Sequence, residues 1–287
     1  MHIKGQLGNI EIGDHIRTRL MAIMNLSPNS FFKGSIKQSK DEIQSHLERI
    51  IEEGADFIDV GAISSAPAFL YNSKEKISES TEIDRLSYFF KVYKEMGVNF
   101  PISVDTQSSI TADYALSQGA TIINDISGFK SDSKLPHVVS EYSASAIIMA
   151  CRRVPGDVFS IREVFSELDS SLRLGINAGI EKSRITIDPG LGSWVPQRQI
   201  ESDYSLIINL AKFRDLEHCI LVGISRKSFI GKILNNPPEE RLWGSLAATT
   251  VAIMNGAHII RTHDVKATKD VCLITDYIKN FRKKASL

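Results

Sequence analysis

Two hydrophobic patterns alternate along the chain. Short apolar runs, many rich in β-branched residues, recur at Leu20–Asn25, Phe57–Gly61, Ile102–Asp105, Thr121–Asp125, Ala146–Ala150, Ile185–Asp188, Ile220–Ile224 and Ile259–His263. Continuous runs of this length read as parallel strands buried on both faces. Between them lie stretches with helical spacing: Asp41–Gly54, Glu82–Gly97, Ser108–Gly119, Ile161–Gly179 and Trp243–Gly256. Each closes on a glycine, which suits a helix C-cap. Eight strand–helix units in about 250 residues predict an α/β fold, a single (β/α)8 TIM barrel spanning residues 1–287 as one domain. An open doubly wound sheet is the competing architecture, but no G-x-G-x-x-G opens the first helix. Residues His2–His15 predict a short N-terminal hairpin that plugs the barrel's N-terminal end, and no linker or low-complexity tract divides the chain.

Composition narrows the function classes. The chain has 287 residues, 43% hydrophobic and 24% charged, enough for a large core. Lys plus Arg and Asp plus Glu total 34 each, so no net charge favours nucleic acid or a membrane surface, and neither is an expected partner. No run reaches the roughly 18 apolar residues that span a bilayer, and Met1–Gln6 has no signal-peptide core. Cys151, Cys219 and Cys272 are far apart and odd in number, which argues against a zinc site or disulfide framework and for a reducing cytoplasm.

Polar residues concentrate where each apolar run ends: Asn25, Asp59, Asp105, Asn124, Asp125, Asp188, Lys227, Arg261 and His263. Barrel enzymes carry their chemistry there. One such aspartate suits a helix cap. Several around one barrel mouth suit a polar pocket, where carboxylates and an amide meet a heterocycle rich in N–H donors and ring nitrogens. Two basic signatures follow the last strands, Ser225-Arg226-Lys227-Ser228 and Arg261-Thr262-His263-Asp264. Arg261 and His263 alternate and so face the same side. Together with the helix N-terminus at Ser228 they point to a bound anion of the phosphate kind. Asn25 is a neutral oxygen ligand of the kind Mg²⁺ accepts beside a phosphate. His46 is expected on a solvated helix face, Phe31 and Phe32 under the first loop, and Trp194 either on its own barrel or on an aromatic ligand.

At these residues the chain resembles dihydropteroate synthase, a pterin-binding barrel family of folate synthesis. The matching segments are Met24–Phe31, Gly54–Gly61, Ser103–Thr106, Ile123–Gly128, Asp188–Gly190, Ser225–Ser228 and Arg261–Lys266, in order along nearly the whole chain. The resemblance implies condensation of 6-hydroxymethyl-7,8-dihydropterin diphosphate with 4-aminobenzoate and release of diphosphate. It implies that Asp105, Asn124, Asp188, Lys227 and Arg261 hold the pterin. Asn25, Arg261 and His263 would act on the diphosphate, with Asn25 on its Mg²⁺. Ser65, Pro67 and Ser228 would bind the arylamine. Family members are often homodimers, and Trp243–Gly256 and Val271–Phe281 carry apolar faces that could pair.

The chain departs from the family on the arylamine side. Ile63-Ser64-Ser65-Ala66-Pro67 replaces Glu-Ser-Thr-Arg-Pro, Met149-Ala150-Cys151 replaces Met-His-Met, and Leu191-Gly192-Ser193-Trp194 replaces Phe or Ile followed by Gly-Phe. These changes raise two alternatives: a modified, ribosylated 4-aminobenzoate as second substrate, or a non-catalytic pterin-binding paralogue. A pterin-dependent methyltransferase is a third, disfavoured because it needs no diphosphate clamp.

Overall fold

The computed structural model describes residues 2–26, 39–62 and 78–285, the last four without their side chains. A two-stranded antiparallel hairpin, β1 (Lys4–Leu7) and β2 (Ile10–Gly13), comes first. Eight parallel strands follow: β3 (Arg19–Asn25), β4 (Phe57–Gly61), β5 (Ile102–Asp105), β6 (Ile122–Asp125), β7 (Ser145–Met149), β8 (Ile185–Asp188), β9 (Cys219–Gly223) and β10 (Ile259–Thr262). They pair in sequence order, and β10 closes the barrel on β3. The predicted strands are all present, with ends shifted by a residue at most.

The intervening helices are α1 (Lys40–Glu52), α2 (Glu79–Glu95), α3 (Ser109–Ser117), α4 (Leu135–Glu141), α5 (Ile161–Asn177), α6 (Ile200–Ile208), α7 (Ser228–Leu234), α8 (Leu242–Met254) and α9 (Val265–Ala285). Serine caps start several of them. Ser39 with Glu42 and Ser160 with Glu163 form reciprocal capping boxes at α1 and α5. The glycine stops work as expected, as at Gly119, whose φ of 110° only glycine adopts without strain. Helices α4 and α6, of seven and nine residues, were not among the predicted helical stretches. Among the described residues no helix is long and apolar enough to cross a membrane.

Two apolar layers place the site. The larger lies between sheet and helices, where Ile58, Val60, Val104, Ile123 and Ile148 face out of the barrel. The smaller fills the lower barrel: Met21, Phe57, Ile122, Ile147, Leu221 and Ile259 meet Ile3, Leu7 and Ile12 of the hairpin. The hairpin therefore plugs the N-terminal end, as its position in the sequence suggested. Asp14 fixes it there, accepting from Ile3 N at 2.9 Å and from both terminal nitrogens of Arg214 at 2.7 Å. Above this layer, in the upper part of the barrel, stand the inward side chains Asp59, Asp105, Asn124 and Arg261.

Candidate active site

Asp59 lies mid-strand in β4. The two-residue period turns it inward, one layer above Phe57. Its carboxylate is fully buried and accepts from Ser103 Oγ of β5 at 2.6 Å, Asn124 Nδ2 of β6 at 3.0 Å and Arg261 Nε of β10 at 2.6 Å. Arg261 also reaches the Asp105 carboxylate at 3.6 Å. The sequence grouped Asp59 with the carboxylates of the pocket at the barrel mouth but assigned it no ligand contact of its own. Its available signal was a carboxylate interrupting the apolar run Phe57-Ile58-Asp59-Val60. A buried charge survives only when paired, so this one sets the orientation of the amide and guanidinium above it.

Around this hub stand the ionisable groups of the mouth. Burial, and next the charge of Asp59, push the Asp105 carboxyl up to about 7. Burial also raises Asp188, against the opposing pull of Lys227, a hydrogen bond from Gly190 N at 2.8 Å, and Arg261. Burial draws Lys227 down to about 8, opposed by Asp188 and assisted by Arg261. For Arg261 burial works against the charge, but the Asp59 and Asp105 carboxylates hold it firmly protonated. Asp188, Lys227 and Arg261 thus feel one another's fields and share one site with Asp105 and Asn124. The set presents carboxyl acceptors, an amide able to donate and accept, and two cations. It can bind a flat heterocycle along its N–H and ring-nitrogen edge while leaving positive charge for an anion.

The two basic signatures are wired to each other. Arg226 forms a bidentate pair with Asp264, at 2.9 and 2.7 Å, and donates to the carbonyls of Pro238 and Glu239. Its charge is spent inside the fold, which corrects the expectation that it helps hold the anion. Ser225 Oγ accepts from His263 N at 3.2 Å and lies 3.0 Å from His263 Nδ1. Having accepted once, that hydroxyl can donate to Nδ1, which leaves the proton of the ring on Nε2. Burial first, then the cations Arg261, Arg226 and Lys227, hold the His263 pKa well below its usual value. His263 is therefore a neutral donor, not the cation its spacing suggested. Ser228 is half-buried at the first position of α7, directly after Lys227.

Other expectations resolve differently. Asn25 ends β3 beside Gly61, half-buried at the mouth. His46 is buried, not solvated: it shares a face of α1 with Ile43, Leu47 and Ile50, and its Nε2 lies 3.4 Å from Ile23 O. Asp125 turns away from the pocket and caps its own loop, accepting from Ser127 N at 2.7 Å and Phe129 N at 2.6 Å. Cys151 is buried, and burial pushes its thiol up to about 12, which disfavours the thiolate a nucleophile needs. Trp194 packs on the barrel, with its ring facing Lys227. Ser65, Ala66, Pro67, Phe31 and Phe32 lie outside the described residues.

Comparison with known proteins supplies the class. Residues 21–263 match the model of the pterin binding enzyme family. The dihydropteroate synthase of Clostridium beijerinckii is 34% identical over 274 residues, covering 95% of this chain and 98% of that one. Among solved structures, a dihydropteroate synthase from Coxiella burnetii in complex with pteroic acid superposes with a TM-score of 0.82 at 32% identity, covering 97% of this chain and 98% of that one. The Thermus thermophilus synthase in complex with 4-aminobenzoate gives 0.76 at 27% identity, covering 96% and 99%. The chain belongs to the pterin-binding enzymes, in the branch of the dihydropteroate synthases, which are transferases.

Proposed function

We infer that this chain joins 6-hydroxymethyl-7,8-dihydropterin diphosphate to 4-aminobenzoate and releases diphosphate. The carrying observation is the convergence of Asp105, Asn124, Asp188, Lys227 and Arg261 on one barrel mouth, oriented from below by Asp59. The pteroic acid and 4-aminobenzoate bound by the two solved synthases support the pairing of substrates. In this reading Asp188 and Asp105 accept from the amino-pyrimidine edge, Asn124 both donates and accepts, and Lys227 donates to the pterin's acceptors. Arg261 spans the pterin and the diphosphate. Ser65, Pro67 and Ser228 bind the arylamine, Ser228 at the N-terminus of α7 receiving its carboxylate.

The protein's work is electrostatic. The bond between the pterin methylene and the diphosphate oxygen breaks, and the electron pair leaves on that oxygen. In this reading the Arg261 guanidinium and the neutral His263 Nε2–H stabilise the developing charge. The amine nitrogen then bonds to the methylene carbon and gives up one proton to solvent. No side chain bonds covalently to either substrate. The donor set fits Mg²⁺ in a limited way: among the described residues no cluster of three His, Cys, Asp or Glu could cage a metal, and Asn25 offers one neutral oxygen. That suits an ion carried in by the diphosphate with most of its waters. Bound there, it would neutralise charge on the leaving group.

The test is diphosphate release from the pterin diphosphate with a panel of arylamines. Turnover with free 4-aminobenzoate is the expected result. Preference for a ribosylated amine would move the second substrate, and pterin binding without release under any amine would reduce the chain to a binding paralogue. We propose further that the protein is cytoplasmic, consistent with three free, buried cysteines. We also propose a homodimer, through the exposed Trp243, Val251, Ile274, Tyr277 and Phe281 of α8 and α9.

A further inference from the structure

The loop that follows β8 is tied down by a buried ion pair. Gly192 N donates to Asp203 Oδ1 at 2.8 Å, and the same oxygen takes Arg198 Nε at 3.0 Å and Arg198 Nη2 at 2.8 Å. Both side chains of this ion pair are wholly buried, and Arg198 also donates to Val158 O at 3.0 Å. The loop is thereby pinned to α6 and to the loop after β7. Within it, Trp194 Nε1 donates to Leu191 O at 2.9 Å, which fixes the plane of the indole.

Lys227 is threaded through that frame. Its Nζ lies 4.9 Å from the centroid of the Trp194 ring and donates to the same Leu191 carbonyl. Two glycines make room. A Cβ on Gly192 would sit 2.9 Å from Lys227 Cδ, and one on Gly156 would sit 2.0 Å from Trp194 Cβ. Among the described residues no carboxylate stands within ion-pair distance of Lys227, so the aromatic face and one carbonyl are the contacts that hold its ammonium. An ammonium over an indole face is attracted by the ring quadrupole, and more strongly where water is excluded.

We propose that Trp194 is a positioning residue for Lys227: its tethered ring holds the ammonium at the barrel mouth, aimed at the pterin. The assignment of Lys227 to the pterin rests on the function inferred above. The charged groups around Lys227 are Asp188, Arg261, Asp203 and Arg198, the first two on neighbouring strands and the last two from α6 and the loop before it. The ring adds to these a contact that favours the protonated amine without introducing a competing carboxylate.

The chain has two tryptophans, and Trp243 is 77% exposed on α8. Trp243→Phe therefore leaves Trp194 as the sole indole. In that background, without ligand, Trp194 emission should titrate near pH 8, where burial has drawn Lys227, and Lys227→Met should abolish the titration. Emission that ignores pH, or a titration that survives Lys227→Met, overturns the proposal. In turnover, Trp194→Leu should raise KM for the pterin diphosphate ~10-fold. It should also move the alkaline limb of kcat/KM to lower pH and change kcat less than ~2-fold. Trp194→Phe keeps a ring and should restore most of both. Unchanged pterin KM, or a change confined to the arylamine KM, overturns the assignment. Should no arylamine turn over at all, the inferred reaction fails, while the ligand-free titration still decides the contact.

Discussion

Asp59 offers the sharpest test of how the site is held. Two substitutions separate its charge from its shape. Asp59→Asn keeps the volume, and its amide can turn its N–H₂ to Ser103 Oγ and its oxygen to Asn124 and Arg261. The bonds from Ser103 and Asn124 then become neutral and the bond from Arg261 keeps the charge of its donor alone, at a cost of about 1–2 kcal/mol. Asp59→Ala removes the acceptor altogether. It leaves a buried amide, a hydroxyl and a guanidinium that is only 19% exposed without their partner. Breaking a buried ion pair by deleting one member costs about 3–5 kcal/mol. The lower end applies here, because Asp105 stands 3.6 Å from the same guanidinium and takes up part of its charge. Urea unfolding should place the two variants in that order below the parent, with unchanged slope. Calorimetric titration with the pterin should show affinity lost ~10-fold or more in both, since Arg261 swings toward Asp105 and uncovers the diphosphate side. A stability loss under 1 kcal/mol in Asp59→Ala, or pterin affinity equal to the parent, would refute the claim that Asp59 orients the site.

Asp105 gives a pH signature. Its folded pKa is raised to about 7, so the native state holds a proton that the unfolded chain releases near pH 4. Its contribution is full below about pH 4 and is lost as pH rises toward 7. Asp105→Asn should flatten that decline in a series of urea melts; a decline of unchanged size would assign the proton to another group. Lys227→Ala should weaken pterin binding by about 1.5–3 kcal/mol, roughly 10–150-fold in Kd, and unchanged affinity would remove Lys227 from the site. Arg226→Ala breaks a largely buried bidentate pair and two carbonyl contacts. It should cost about 3 kcal/mol in unfolding free energy. A fully stable variant that loses only diphosphate affinity would return Arg226 to the anion site.

The barrel was legible because each of its strands is a short, mostly apolar run buried on both faces, and such runs have few other readings. Positions at strand ends were legible for the same reason: period two and the barrel's closure place Asp105, Asn124, Asp188 and Arg261 without further information. What the sequence withheld was pairing. Nothing in Ser225-Arg226-Lys227-Ser228 says that Arg226 is consumed by Asp264, 38 residues on, while its neighbour faces the site. His263 reads as a potential cation until three neighbouring positive charges and burial are counted, and only the folded chain brings Arg261, Arg226 and Lys227 around it. His46 misled in the opposite sense, because a polar residue on an amphipathic helix defaults to solvent unless its apolar neighbours at Ile43, Leu47 and Ile50 are given equal weight. The buried Arg198–Asp203 pair is five residues apart with no motif around it. Its effect on Lys227 passes through a loop tryptophan that could equally have packed elsewhere. Charges at the mouth are thus sorted by long-range partners: Arg226 is consumed by Asp264 and becomes scaffold, Arg261 is oriented from below by Asp59 with its far side turned to Asp105, and Lys227, held by a ring and a carbonyl, is left to the ligand.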